Sequence, residues 1–67
     1  MRKIPFNISC DVDVIFQKLK ASNLKFTLFH NTQYDDLGNI VKKANQVKIL
    51  CNIEDIEKIT EIVQSIN

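Results

Sequence analysis

Three side chains capable of thiol or metal chemistry share one kind of position, the end of a predicted strand. They are Cys10, His30 and Cys51. In a parallel sheet these strand ends would meet at one edge, with Asp11 beside them, and could form a thiol or metal site. In an antiparallel sheet Cys51 would lie about 17 to 20 Å from Cys10, at about 3.4 Å per residue, which is too far for a disulfide or a shared metal ion. Both cysteines also continue inward-facing strand positions, so the sequence favours two small core side chains and a strand-end histidine.

No other pattern in the sequence indicates catalysis. The chain contains one glycine, which excludes a glycine-rich phosphate loop, and it contains no HExxH motif. The carboxylates of Asp11 and Asp13, and those of Asp35 and Asp36, fit helix-cap and turn positions better than an acid and base pair. The sequence therefore predicts a protein that is not an enzyme and that uses no cofactor and no metal ion.

The length and composition are those of one small globular domain, residues 1–67. Hydrophobic residues make up 45% and charged residues 25% of the chain. No apolar run approaches the roughly 20 residues that span a bilayer, so no membrane association is expected. Two cysteines without a secretory signal predict a cytoplasmic protein with reduced thiols.

Charge is distributed unevenly along the chain, although the net charge is only +1. Residues 1–50 carry eight Lys or Arg and four Asp or Glu, whereas residues 51–67 carry one Lys and four Asp or Glu. An acidic helix on a mildly basic body favours complementary contacts with another protein over a phosphate-binding stripe.

The longest regular pattern runs from Gln46 to Asn67 and predicts a buried strand that leads into an amphipathic helix. The period of the apolar residues changes from two to about 3.6 at Asn52, a residue type suited to an N-cap. Glu54 and Asp55 then place negative charge at the positive end of the helix dipole. The apolar positions are Val47, Ile49 and Cys51 in the strand, and Ile53, Ile56, Ile59, Ile62, Val63 and Ile66 in the helix.

The first part of the chain predicts a strand, a helix and a second strand. Pro5 cannot donate to a strand ladder, which places the first strand at a sheet edge. Asp11 can cap the helix, and Ser22 with Asn23 can end it. The inward-facing positions are Ile4, Phe6, Ile8 and Cys10 in the first strand, Val12, Ile15, Phe16 and Leu19 in the helix, and Leu24, Phe26 and Leu28 in the second strand.

Two interpretations of the segment from His30 to Asn45 lead to different folds. Asp35 and Gly38 suit a hairpin turn, and glycine would cost roughly 1 kcal/mol inside a helix. The hairpin gives an α+β, ferredoxin-like β-α-β-β-α half-sandwich, with an antiparallel sheet, two helices on one face and no fourth strand. The helical spacing of Leu37, Ile40, Val41 and Ala44 instead gives a β-α-β-α-β-α minimal parallel sheet. The glycine favours the hairpin.

Several surfaces are predicted to bind another protein. In the half-sandwich the first strand lacks its usual neighbour, so a partner strand or a second copy of the chain could pair with it as a homodimer. The open sheet face mixes cationic and apolar side chains and lacks the aromatic platform of RNA-binding sheets, so the pattern favours a protein partner over nucleic acid. The predicted partner-binding residues are Lys3, Pro5, Lys25, Phe29, Lys48 and Leu50 on the sheet, and Glu54, Glu57 and Glu61 on the acidic helix.

The order and length of these elements resemble those of ACT-type regulatory domains from Lys3 to Gln64, most closely between Val47 and Val63. Such domains are ferredoxin-like modules that bind amino acids or other small effectors and pair side by side. They carry a glycine in the loop before the first helix, whereas residues 10–13 contain none. The resemblance therefore implies a fold and no effector-binding residues. Together the observations predict a regulatory or interaction module of the small inhibitor or adaptor type, with an effector-binding domain and a thiol or metal site as the alternatives.

Overall fold

The computed structural model describes residues 1–66 and has an α+β fold, as the sequence predicts. It contains two helices, and a short 3₁₀ turn at Ile53–Asp55 leads into the second. The elements are β1 (Arg2–Asn7), α1 (Val12–Ala21), β2 (Phe26–His30), β3 (Gln33–Tyr34), β4 (Ile40–Lys42), β5 (Gln46–Cys51) and α2 (Ile56–Ile66).

The main sheet has three strands in the order β1-β5-β2, and β5 runs antiparallel to both neighbours. Ile49, at the centre of β5, lies opposite Ile4 of β1 and Leu28 of β2. This arrangement is compatible with the predicted half-sandwich and shows that the parallel-sheet alternative is wrong. It also confirms that β1, which contains Pro5, is an edge strand.

The core lies between one face of this sheet and the two helices. Strand β5 contributes Val47, Ile49 and Cys51, all fully or almost fully buried, and the helices bring further side chains against them. These are Ile15 and Leu19 from α1, and Ile59 and Val63 from α2. Both helices therefore cover the same face, as predicted, and the opposite face of the sheet remains open.

Helix α1 begins at the predicted residue, but Asp11 does not act as a side-chain cap. Its carboxylate accepts no hydrogen bond from the helix and instead pairs with Nζ of Lys43 at 2.8 Å. The same contact raises the pKa of Lys43 above its ordinary value, mainly through the hydrogen bond. At the other end, Ser22 donates from its amide to the carbonyl of Lys18, and Asn23 adopts a left-handed φ of 61°.

Helix α2 begins later than the sequence pattern predicts. Asn52 lies at the N-cap of the 3₁₀ turn but makes no side-chain cap bond, and the α-helix starts only at Ile56. Because the tighter turn changes the side-chain direction, Ile53 is 65% exposed and does not belong to the core stripe. The prediction for Ile53 is wrong, whereas Ile59 and Val63 are buried as predicted.

The segment after β2 is a hairpin and contains no helix within its described residues. Strands β3 and β4 pair as a separate two-stranded sheet, so they extend the half-sandwich and do not join its main sheet. Asp35 organises the turn, because its Oδ1 accepts from the amides of Leu37 at 2.9 Å and Asn39 at 2.8 Å. Gly38 supplies the left-handed φ of 83° that the turn needs.

We expect the Asp35→Ala variant to loosen this turn while the main sheet remains intact. The bond from the Asn39 amide is the largest cause of a lowered pKa at Asp35, so the carboxylate remains ionised at neutral pH and its bonds to the turn are lost as pH falls through that lowered value. The protection of the Leu37 and Asn39 amides, measured as their exchange rate relative to an unstructured amide at the same pH, should therefore fall in Asp35→Ala, and in the wild type as pH falls below the ordinary aspartate pKa of 3.8. Asp36→Ala is the matched control. Equal exchange rates in the two variants would contradict the role of Asp35.

Candidate functional site

The antiparallel register separates the thiols from each other. Cys51 lies opposite Arg2 and Phe26, whereas His30 lies opposite Val47 at the other end of the sheet, the end where β1 leads towards Cys10. Within residues 1–66 no three His, Cys, Asp or Glu side chains are grouped so that they could hold a metal ion.

The surroundings of Cys51 also oppose thiol chemistry. Burial, and to a smaller extent the negative charge of Asp55, raises the pKa of the Cys51 thiol. The thiol therefore stays protonated at neutral pH, whereas a nucleophilic or metal-binding cysteine is a thiolate. The structure thus brings Cys51 neither to His30 nor to Cys10.

The open face of the main sheet brings six predicted or neighbouring residues into two rows. Side chains at directly opposed positions of antiparallel strands point to the same face. Across β1, β5 and β2, the first row is Lys3, Leu50 and Thr27, and the second row is Pro5, Lys48 and Phe29. Lys25 immediately precedes β2, at the end of the strand nearer the first row. Five of the six predicted sheet residues thus share this face, and they are Lys3, Pro5, Phe29, Lys48 and Leu50.

A contact between the two edge strands crosses this face. Nζ of Lys3, on β1, lies 4.3 Å from the centre of the Phe29 ring, on β2. Phe29 is 42% exposed, so part of its surface remains accessible to solvent beside the ammonium group. The long aliphatic part of Lys3 must pass over β5 to make this contact, which covers part of the face with methylene groups.

A shallow groove of about 280 Å³ continues from Phe29 to the end of the sheet. Its other lining residues include Lys48, His30 and Gln46. The side-chain amide of Gln46 donates to the side-chain oxygen of Asn7 at 3.4 Å, which links β5 to β1 at this end. The groove therefore presents polar donors beside an exposed aromatic ring.

The electrostatic character of this open face follows from its strand positions. Alternation along β1, β2 and β5 places on it only Lys3, Pro5, Asn7, Thr27, Phe29, Gln46, Lys48 and Leu50. None of these residues is acidic, so no carboxylate in the strands neutralises the lysines locally. The face can attract acidic groups and at the same time bury apolar surface.

The acidic residues lie on the helix layer, away from the open face. Glu54 is in the 3₁₀ turn, and Glu57 and Glu61 are in α2, all three exposed. Lys58 is exposed within the same group and reduces its net charge. The exposed Ile53 precedes them, so this acidic surface also has an apolar part.

Two exposed apolar surfaces were not identified from the sequence. One is the hairpin, where Leu37 is 86% exposed and Tyr34, Ile40 and Val41 are also exposed. The other is a groove of about 340 Å³ between α1 and β2, lined in part by Phe16 and Phe26. The sequence pattern treated Phe16 as core, whereas it is 38% exposed. The sequence does contain an indication of the second surface. Residues 26–30 include no charged residue, proline or glycine, and a strand of this composition can present an apolar edge.

The fold and the site together define a small α+β protein with one sheet face covered by helices and one open, cationic and partly apolar face. No protein-family model matches the chain, and neither characterised proteins nor solved structures show significant similarity to it. The resemblance to ACT-type domains therefore stays a prediction. Neither helix in residues 1–66 is long and apolar enough to cross a membrane.

Proposed function

We propose that this protein is a non-enzymatic interaction module, of the small inhibitor or adaptor type, that docks on another protein through its open sheet face. The observation that carries the proposal is the exposed ring of Phe29 beneath the ammonium group of Lys3, on a sheet face without acidic strand residues. An aromatic ring with a preformed cationic contact suits the centre of a protein interface, where aromatic residues are enriched.

The chemistry of the face indicates the chemistry of its partner. Lys3, Lys48 and the neighbouring Lys25 favour a surface that carries carboxylates. Phe29 and the half-buried Leu50 favour apolar groups between those carboxylates. We therefore infer a partner with an acidic surface that has an apolar centre. The acidic residues of α2 are not required for this docking mode.

Reversing the three lysines tests the proposal. In the triple variant Lys3→Glu, Lys25→Glu and Lys48→Glu, each attraction to a partner carboxylate becomes a repulsion. At about 1 kcal/mol for each site, affinity should fall on the order of 100-fold or more. The measurement is the amount of each protein retained by the immobilised chain from cells that express it, followed by titration of the purified partner at two salt concentrations. Weaker binding at the higher salt concentration is expected.

A matched triple variant on the other side of the molecule supplies the control. Glu54→Lys, Glu57→Lys and Glu61→Lys reverse the same number of charges and should leave binding intact. Phe29→Ser should weaken binding without a change in charge. Loss of binding in the helix variant together with retention in the lysine variant would overturn the open face as the docking surface and favour the acidic helix.

A further inference from the structure

The outer edge of β2 is an exposed strand edge without the usual protection. Within residues 1–66, β2 has β5 on one side and no strand on the other. Its sequence, residues 26–30, contains no lysine, arginine, proline or glycine, the residues that normally prevent edge-to-edge pairing. By contrast, the other edge strand, β1, carries Arg2, Lys3 and Pro5. Of the two sheet edges, β2 is therefore the less protected against strand pairing, whereas the sequence pattern directs attention to β1.

An apolar groove runs along this edge on the side of the helices. Phe16 of α1 contacts Phe26 of β2 edge to face, with ring centres 5.6 Å apart and an angle of 68° between the ring planes. Val12 and Leu28 also line the groove, which has a volume of about 340 Å³. A strand added to β2 would thus gain apolar contacts from α1 as well as backbone hydrogen bonds.

The adjoining face of α1 has opposite charges at its two ends. Asp13, Phe16 and Lys20 are spaced three and four residues apart, which places them on one helix face. All three are exposed, Asp13 lines the groove, and Nζ of Lys20 lies 5.7 Å from the centre of the Phe16 ring. A helix with this order of acid, aromatic ring and base is complementary to a second copy of itself in the antiparallel direction.

We propose that β2 is the dimerisation edge of this protein, and that a second copy pairs with it through an antiparallel β2-β2 contact. A two-fold axis beside Leu28 joins the two three-stranded sheets into one sheet and brings the two α1 helices together. Asp13 of each copy then lies close to Lys20 of the other. In the register centred on β2, Leu28 lies opposite its own copy and Phe26 lies opposite His30, so no like charges are directly opposed and Lys25 lies outside the paired residues.

A second copy fits this edge because the surface is self-complementary. A two-fold contact uses the same patch on both subunits and closes after two copies, which leaves no unprotected β2 edge for further growth. The helices lie on one side of the joined sheet, so the open faces of both copies form one continuous surface. The dimer does not depend on the proposed docking function, since its contacts involve the β2 edge and α1, and not the lysines of the open face.

Charge reversal at Asp13 and Lys20 tests the dimer. Native mass spectrometry and analytical ultracentrifugation of the purified chain, from micromolar to millimolar concentration, should show a monomer–dimer equilibrium. Asp13→Lys places like charges at two symmetric positions and should raise the dimer Kd by about tenfold, since each surface contact is weak but occurs twice. The double variant Asp13→Lys with Lys20→Glu exchanges the charges and should restore the wild-type Kd. Asp36→Lys, in the hairpin turn, is the matched control and should leave Kd unchanged.

Hydrogen exchange identifies the edge that pairs, and circular dichroism verifies that each variant is folded. Amides within residues 26–30 should exchange more slowly at high than at low protein concentration, whereas those of β1 should not change. A monomer at every concentration, concentration-dependent protection in β1 instead of β2, or a dimer with the same Kd in Asp13→Lys would each overturn the proposal. Thr27→Lys, an exposed change on the edge strand itself, should also raise the Kd while the fold is retained.

Discussion

Replacing Ile59 by alanine is expected to lower the free energy of unfolding by about 2 to 5 kcal/mol. Ile59 is completely buried and belongs to the cluster in which α2 meets β5 and α1. Truncation removes three buried carbons and leaves a cavity that the surrounding side chains can fill only in part. Small domains have total stabilities of about 5 to 15 kcal/mol, so the variant should unfold at a much lower denaturant concentration. Chemical denaturation followed by circular dichroism measures the difference.

Ile53→Ala is the matched control because it makes the same chemical change six residues earlier in the chain. Ile53 is 65% exposed, so its truncation should change stability by no more than about 0.5 kcal/mol. Ile56 is half-buried, and Ile56→Ala should fall between the two. Similar losses for Ile53→Ala and Ile59→Ala would show that the α2 stripe does not pack as described.

The contrast between Ile53 and Ile59 also shows how far hydrophobic periodicity can predict burial. The alternation of Val47, Ile49 and Cys51 identifies the buried strand, because every second residue of a strand must face the same way. The helical stripe is predicted correctly from Ile56 onwards, because residues three and four apart lie on one face of an α-helix. Ile53 departs from it because the first turn is 3₁₀, with about 3.0 residues per turn, and apolar spacing alone does not distinguish the two kinds of turn.

The hairpin was predictable from local chemistry, whereas its relation to the main sheet was not. Asp35 and Gly38 specify the turn through contacts within a few residues of each other. Whether β3 and β4 extend the main sheet or form a separate one depends on contacts between distant parts of the chain. The exposure of Leu37 likewise follows from the absence of packing partners and not from its own residue type.

The candidate site shows the same division between local and long-range information. Alternation within each strand predicts which residues share a face, and the structure confirms that placement for Lys3, Phe29 and Lys48. The contact between Lys3 and Phe29 was not predicted, because it requires knowing that β5 lies between β1 and β2. The antiparallel pairing of β2 with β5 places Cys51 and His30, which both lie at predicted strand ends, at opposite ends of the sheet.

The strand order gives the molecule two different edges and two different faces. The covered face and the helices form the core, whereas the open face retains lysines with no carboxylate in the strands to pair with. Edge strand β1 carries charge and proline, and edge strand β2 carries neither. A protein of this size buries only a small hydrophobic core. Contacts at β2 or on the open face would bury additional surface that the monomer leaves exposed. Binding at either proposed surface would therefore also raise the free energy of unfolding.

The central position of β5 gives the second large expected effect, which is that Lys48→Pro should abolish folding. Every amide of a central strand points towards a neighbouring strand, so proline at position 48 removes a ladder hydrogen bond and leaves its acceptor unsatisfied. Together with the steric restriction of the ring and the unsatisfied acceptor, the loss should be comparable with the roughly 5 kcal/mol that stabilises a marginally stable small domain. The measurement is the circular dichroism spectrum and the dispersion of amide signals in solution.

Lys48→Ala separates the backbone effect from the loss of the side chain. Lys48 is exposed on the open face, so its truncation should change stability by no more than about 0.5 kcal/mol and should weaken only partner binding. The chain already contains proline directly opposite this position, at Pro5 of edge strand β1, where an amide can be dispensed with. A folded Lys48→Pro variant would mean that β5 is not the central strand, because only an edge strand or an irregular position tolerates the missing amide.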